Sequence, residues 1–285
     1  MIKTPNPMPF KEGNALYRRA ARRLWGALTW PDPHVFWALL SPLFARKVKV
    51  DAVFSTGWPF SAFITGVILK KRLGVPLVLD FRDPWSDDPH LGRAFTGALE
   101  RRLVAEADAL TAPSPGTARY LMEKYPKKRV AWFPYSYEPL EWTPPPPGPF
   151  TLCFGGQAYG PQPFITIDKA LENLPGVVLR VRGQAPVRRA ERGPFLPKKD
   201  YFEFLRSCHA VLVANGTPEW HERLVLAGKL LDALAVGRPV LYVGVPGAMW
   251  RLIKEHRVGE VARWDDPEGV REAILKLREY PAKPY

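Results

Sequence analysis

Short runs of branched apolar residues alternate along this chain with longer helix-forming segments, and that alternation limits the fold more than any other feature. In the first half, strands are expected at 50–55 (VDAVFS), 76–81 (PLVLDF), 107–112 (ADALTA) and 129–134 (RVAWFP). Helices are expected between them at 60–74, at 97–107 and from Ser114, with Gly74 placed to stop the first. The second half repeats the pattern, with strands at 150–156, 177–183, 209–214 and 238–244 and helices near 164–174 and 227–237. Near-continuous apolar runs of this kind read as buried parallel strands. Alternation with helices implies α/β architecture, with parallel sheets covered on both faces.

One segment interrupts the alternation. EPLEWTPPPPGPF (138–150) holds four consecutive prolines, which cannot join a helix or a central strand and favour a stiff extended spacer. The expected organisation is therefore a first domain over 1–140, a linker over 141–149 and a second domain over 150–285, with a cleft between the domains. At 285 residues, each half is long enough to bury a core of its own. No internal repeat is visible.

Composition narrows the class. Apolar residues make up 46% and charged residues 24%, as in globular proteins. Cys153 and Cys208 suggest neither a disulfide framework nor metal-ligand spacing, so a reducing cytoplasmic location is expected. No apolar run is long enough to span a bilayer, and MIKTPNPMPFKEG lacks the apolar core of a signal peptide. The formal net charge of +13 points to polyanionic partners: nucleic acid, an anionic membrane or phosphorylated substrates. ALYRRAARRLWGALTW (15–30) concentrates this charge, with Arg18, Arg19, Arg22 and Arg23 on one helical strip and Leu16, Leu24 and Leu28 on another. Such a helix suits an anionic membrane surface, with Trp25 and Trp30 near headgroups, and equally suits packing on its own domain. A nucleic-acid partner is disfavoured, because the basic residues are spread over both halves and no known module is present.

Few motifs carry chemistry. Walker A, dinucleotide-fingerprint, nucleophile-elbow and zincin patterns are all absent, and the five histidines have no ligand spacing. No metal or cofactor is expected. PLVLDFRDPWSDD (76–88) drives Leu77, Val78 and Leu79 into a core and then presents Asp80, Arg82 and Asp83 at the strand's carboxyl end, where open α/β sheets bind ligands. Arg82 either meets a ligand or simply pairs with a neighbouring aspartate. FGGQAYG (154–160) follows an apolar strand, so Gly155, Gly156 and Gln157 either let a phosphate approach the backbone or form an ordinary turn. In AGKLLDALAVGRPVL, Gly228 opens a helix, Lys229 adds a full charge at its positive end, and Asp232 lies three positions on along the same face. This arrangement suits a diphosphate with sugar hydroxyls beside it, or merely a solvated first turn.

DFRDPW and AGKLLDALAVGRPVL, together with WPDPHVFW, ADALTAPSPGTARYL, LCFGG, LRVRG and WDDPEGVREAILKL, make the chain from about Trp30 to Leu277 resemble the retaining glycosyltransferases of family 4. The resemblance implies the GT-B architecture, two Rossmann-like domains facing across a cleft. It implies an enzyme that moves a sugar from a nucleotide diphosphate sugar to a glycan or lipid-linked acceptor, with retention and without a required metal. In that scheme Lys229 meets the diphosphate and Asp232 the ribose. Gly155, Gly156, Gln157, Gly183 and Gly228 shape the donor site, while Arg82, Asp83 and Asp80 serve the reaction from the first domain.

The chain also departs from the family pattern. Leu224 stands where the first carboxylate of a pair is usual, leaving Glu219 and Glu222 as substitutes, and Gln157 replaces a customary basic residue. The first strand comes only at Val50, so a reduced amino-terminal domain is expected. These departures keep open a non-catalytic GT-B subunit acting with a partner transferase. The expected location is cytoplasmic, peripheral at the inner face of the membrane.

Overall fold

The computed structural model describes residues 29–45, 48–88, 95–158, 162–172, 174–215, 224 and 226–280. The basic helix expected at 15–30 lies almost wholly outside these residues, as do Glu219 and Glu222. The chain divides into two compact units, Met1–Pro134 and Tyr135–Tyr285.

The first unit holds four parallel strands, β1 (Val53–Gly57), β2 (Leu77–Phe81), β3 (Ala109–Ala112) and β4 (Arg129–Trp132), side by side in chain order. Before β1 come a short helix α1 (Val35–Leu40) and a 3-10 turn (Ser41–Ala45). The strands are connected by α2 (Ala62–Leu73), α3 (Thr96–Glu106) and α4 (Pro115–Lys124). Gly74 ends α2 with φ +68°, in the left-handed conformation that glycine adopts without steric cost. Ser114 caps α4 by accepting the Thr117 N–H at 3.0 Å, with Pro115 in the first turn.

Among the described residues, only one face of this sheet is fully covered. In β2, Leu77, Leu79 and Phe81 are fully buried while Val78 and Asp80 are only partly so, and Phe54 of β1 is 61% exposed. Strand order supplies the reason. Right-handed crossovers between strands laid down in sequence place successive helices on one face, and coverage of the other face requires a reversal of direction. On the covered side Phe60, Phe63, Phe81 and Trp85 form the centre of the core, with Phe60 and Trp85 stacked at 4.7 Å.

The second unit has that reversal. Its six parallel strands are β5 (Phe150–Gln157), β6 (Val177–Gln184), β7 (Glu191–Gly193), β8 (Ala210–Ala214), β9 (Val240–Gly244) and β10 (Gly259–Arg263), in the order β10-β9-β8-β5-β6-β7. Helices α5 (Gln162–Leu171), α6 (Lys198–Arg206), α7 (Gly228–Ala235), α8 (Ala248–His256) and α9 (Pro267–Arg278) accompany them. Alternate residues feed two cores: Leu152 and Phe154 face one and Cys153 the other, as do Leu241 and Val243 against Val240 and Tyr242. The apolar runs of β5, β8 and β9 are thus buried on both sides, as a doubly covered parallel sheet requires. The alternation did not name α1, β7, α6, α8, β10 and α9, whose segments are short or strongly polar.

The proline-rich stretch lies against this unit. The Leu140 N–H donates to the Ala235 carbonyl at 2.8 Å, and the fully buried Arg238 donates to the carbonyls of Thr143 and Pro144.

The cysteine reading needs correction: Cys153 and Cys208 are joined as a disulfide, with Cα atoms 6.0 Å apart. Their separation of 55 residues hides the proximity, which arises because β5 pairs with β8 immediately after Cys208.

Candidate functional site

In the second unit, β5 is followed in sequence by its neighbour β6, whereas β8 returns to the opposite side of β5. Strand order therefore reverses between β5 and β8, and a crevice opens at the carboxyl end of such a reversal. A cavity of about 260 Å³ occupies this place, lined by Gly155 and Gly156 at the end of β5, Arg182 near the end of β6, Phe195 and Leu196, Tyr201 on α6, and Lys229 and Asp232 on α7.

Its floor is glycine because nothing larger fits. A Cβ on Gly155 would collide with the Tyr201 ring, and one on Gly156 would stand 3.1 Å from Lys229 Cε. Gly156 has φ +106° and Gly183, its register partner on β6, has φ +117°, both values that L side chains rarely adopt. A Cβ on Gly183 would run into the Gly156 carbonyl oxygen and approach Phe195 Cε1 to 2.9 Å. Gly183→Ala should therefore lose about 2 kcal/mol or more of stability, read by denaturant unfolding, and should disturb the cavity floor with it.

The charged walls come from β6 and α7. Lys229 Nζ donates to the Gln157 carbonyl at 3.3 Å and lies 4.9 Å from the centre of the Phe154 ring. Burial pulls its pKa below that of an ordinary lysine, with Asp232 acting in the opposite sense. Burial raises the Asp232 pKa, against the charges of Lys198 and Lys229. The Tyr201 hydroxyl is pushed well up by burial and by Asp232. Arg182 lies over the Phe204 ring, 5.0 Å from its centre, and donates to its neighbour's carbonyl, Val181 O, at 3.0 Å. The α7 amino terminus begins at Gly228 with no side chain capping it, so its dipole and first N–H groups add to the positive wall. Two half-buried cations, one carboxylate and a strand end stripped of side chains have the chemistry that suits a phosphate with hydroxyls beside it.

The structure thus gathers Lys229, Asp232, Gly155 and Gly156 around one cavity. Gln157 stands just beyond it, exposed, and contributes its backbone oxygen to Lys229. Gly183 supports the floor, and Gly228 opens α7 with open space where a Cβ would stand. Sequence reasoning did not single out Arg182, Tyr201 and Phe195. The arginine was legible in LRVRG, one place before the glycine at the strand end, whereas Tyr201 reaches the cavity from a helix that the apolar pattern does not announce. Among the described residues no group of three His, Cys, Asp or Glu side chains is gathered as metal ligands would be.

In the first unit, the charged end of β2 is held firmly. Asp80 accepts the Thr111 hydroxyl of β3 at 2.7 Å; Arg82 is exposed and Asp83 partly so. The loop beyond them is tied to α3 and α4. Glu100, 1% exposed, accepts the Ser86 N–H at 2.8 Å and the Tyr125 hydroxyl, and pairs with Lys124 at 2.8 Å. Lys124 also pairs with Asp87 at 2.9 Å, and Asp87 accepts the Tyr120 hydroxyl at 2.7 Å. Burial alone would raise the Asp87 pKa, but the Tyr120 and Lys124 contacts hold it below the usual carboxylate value. Glu100 was also missed, although it shares the buried face of α3 with Leu103 and Val104 at helical spacing.

Comparison with known proteins agrees with the fold. Residues 4–136 match the family model described as glycosyl transferase 4-like domain. A comparison with curated protein sequences found no match. Among solved structures, the chain resembles the apo lipopolysaccharide outer core galactosyltransferase WaaB (TM-score 0.57, 14% identity, 95% of this chain and 74% of that one). It also resembles Anabaena Alr3699/HepE in complex with UDP and glucose (0.59, 16%, 90% and 74%). A third likeness is to a trehalose-6-phosphate protein from E. coli bound with UDP-2-fluoro glucose (0.62, 12%, 87% and 71%). The fold of the chain is therefore the two-unit α/β arrangement that those glycosyltransferase structures share, the GT-B type. Within that fold, it is the first half of the chain that is similar to the glycosyl transferase 4-like domain.

Proposed function

We propose that this protein transfers a sugar from a nucleoside diphosphate sugar to a glycan or lipid-linked acceptor, with retention of anomeric configuration and without a required metal ion. The observation that carries the proposal is the cavity at the β5–β8 reversal, where Lys229 and Arg182 face a glycine floor and Asp232 stands beside them. Lys229 and Arg182 meet the charge that builds on the departing diphosphate, preorganised and partly shielded from water, where such charges act most strongly. Asp232 accepts hydrogen bonds from the ribose hydroxyls. Arg82 and Asp83 bind and orient the acceptor from the first unit, and Asp80, already engaged with Thr111, keeps the strand end in register. That some structural relatives carry UDP with glucose or a UDP-sugar analogue supports a donor of the same chemistry.

The test is a calorimetric screen of UDP-, GDP- and ADP-sugars, with turnover followed in a chelator and the product anomer read by NMR. One donor series is expected to bind, turnover is expected to survive the chelator, and the transferred sugar is expected to keep its configuration. Silence toward every nucleotide sugar would overturn the transferase reading.

A further inference from the structure

From Val35 to Ala45 the chain carries no charged residue, and from Val35 to Val50 it carries no acidic one. The segment forms α1 and the 3-10 turn, and its inward side is settled. Val35, Ala38 and Pro42 are buried, the Thr65 hydroxyl donates to the Ala38 carbonyl at 2.8 Å, and Arg72 donates to the Pro42 carbonyl at 3.0 Å. The outward side is equally apolar. Phe36, Leu39, Leu40, Leu43 and Phe44 recur at helical spacing, and each is between 39% and 55% exposed. Val48 and Val50 extend the stripe toward β1, both exposed. A helix that is apolar all round belongs in a core or against lipid, yet here Leu39, Leu40, Leu43 and Phe44 face outward together. Scattered apolar residues on a surface need no explanation, but a contiguous stripe does.

Charge selects what covers it. Exposed Lys49 lies between the two valines, Arg72 borders the turn, and the sequence places Arg46 and Lys47 between turn and valines. A second copy of the chain would bring two such basic rims together and be repelled, whereas an anionic bilayer offers hydrocarbon for the stripe and counter-charge for the rim. We propose that the α1 and 3-10 turn surface, centred on Leu39, Leu40, Leu43 and Phe44 and rimmed by Lys49 and Arg72, docks the protein on an anionic lipid surface. It is carried by a different stretch of sequence from the basic segment 15–30, and the proposal does not depend on the transferase reading. Among the described residues no helix is long and apolar enough to cross a membrane, and docking needs none.

The experiment is cosedimentation of the full chain with phosphatidylcholine vesicles and with vesicles that also contain phosphatidylglycerol. Wild type should favour the anionic vesicles and release them as salt rises. Leu40→Gln with Phe44→Gln changes only exposed positions and should weaken binding roughly tenfold or more, with unfolding and nucleotide-sugar binding unchanged. A charge variant, Arg18→Gln with Arg22→Gln, separates the upstream segment: if it abolishes binding while the apolar variant binds as wild type, the proposed surface is wrong. Indifference of wild type to both vesicle types, or self-association through Leu40 and Phe44 in place of vesicle binding, would equally overturn it.

Discussion

A Lys229→Met variant is expected to bind its nucleoside diphosphate sugar about 10- to 100-fold more weakly, the equivalent of one lost charge-assisted contact of roughly 1.5–3 kcal/mol. Methionine keeps the length and apolar packing of the lysine stem over Phe154, so the cavity should hold its shape and the loss should report charge alone. The free nucleoside should lose little, because its contacts lie away from the diphosphate. The pH dependence sharpens the test. Burial depresses the Lys229 pKa in the empty protein, so its charge disappears at lower pH than that of an ordinary lysine. Diphosphate affinity should therefore fall as pH rises through that depressed value, and binding at and above it should be accompanied by proton uptake, because the empty site is then partly neutral. Titration calorimetry in buffers of different ionisation enthalpy measures both effects, and Lys229→Met should abolish the alkaline limb. If variant and wild type bind equally and share one pH profile, Lys229 does not touch the diphosphate.

Much of this site was legible in the sequence, for a physical reason. Lys229 and Asp232 are three residues apart on one helix, so local geometry alone commits them to one face, and Gly228 marks where that helix begins. Eight of the ten described strands were legible because each is an apolar run bounded by turn residues, whereas β7 and β10 are not. What the sequence hid is what the chain assembles over distance. Tyr201 fills the space above Gly155 from α6, and the need for glycine at 155 is visible only with that ring in place. Cys153 and Cys208 meet because the sheet reverses between β5 and β8, and no local pattern records strand order. The same limitation explains the half-covered first sheet: apolar runs announce parallel strands without saying whether their helices fall on one face or two.

Arg238 carries the second large expectation, and it concerns stability. Its side chain is fully buried, with Nε donating to the Cys208 carbonyl at 2.7 Å, one terminal nitrogen to the Thr143 carbonyl at 2.8 Å and the other to the Arg206 carbonyl at 2.7 Å. Longer contacts reach the Pro144 carbonyl and the Thr143 hydroxyl. These oxygens belong to the proline-rich stretch and to the 206–208 turn between α6 and β8, so one guanidinium ties together two segments that share no backbone ladder. Four prolines in a row offer no N–H groups for pairing, which leaves carbonyls from Thr143 onward in need of a donor from outside. Burial and the neighbouring Arg206 both push the Arg238 pKa down, yet a guanidinium keeps its proton and its fork of donors. Arg238→Met fills similar space with none of those donors and leaves several buried carbonyls unpaired. The expected loss is about 3–5 kcal/mol, or roughly 6–20 °C in the unfolding temperature of a unit this size. Arg238→Lys should recover only part of it, since an ammonium cannot reach three diverging carbonyls in one plane. Differential scanning calorimetry of both variants decides the matter: if Met and Lys leave the transition where it is in wild type, the linker is held by something other than this side chain.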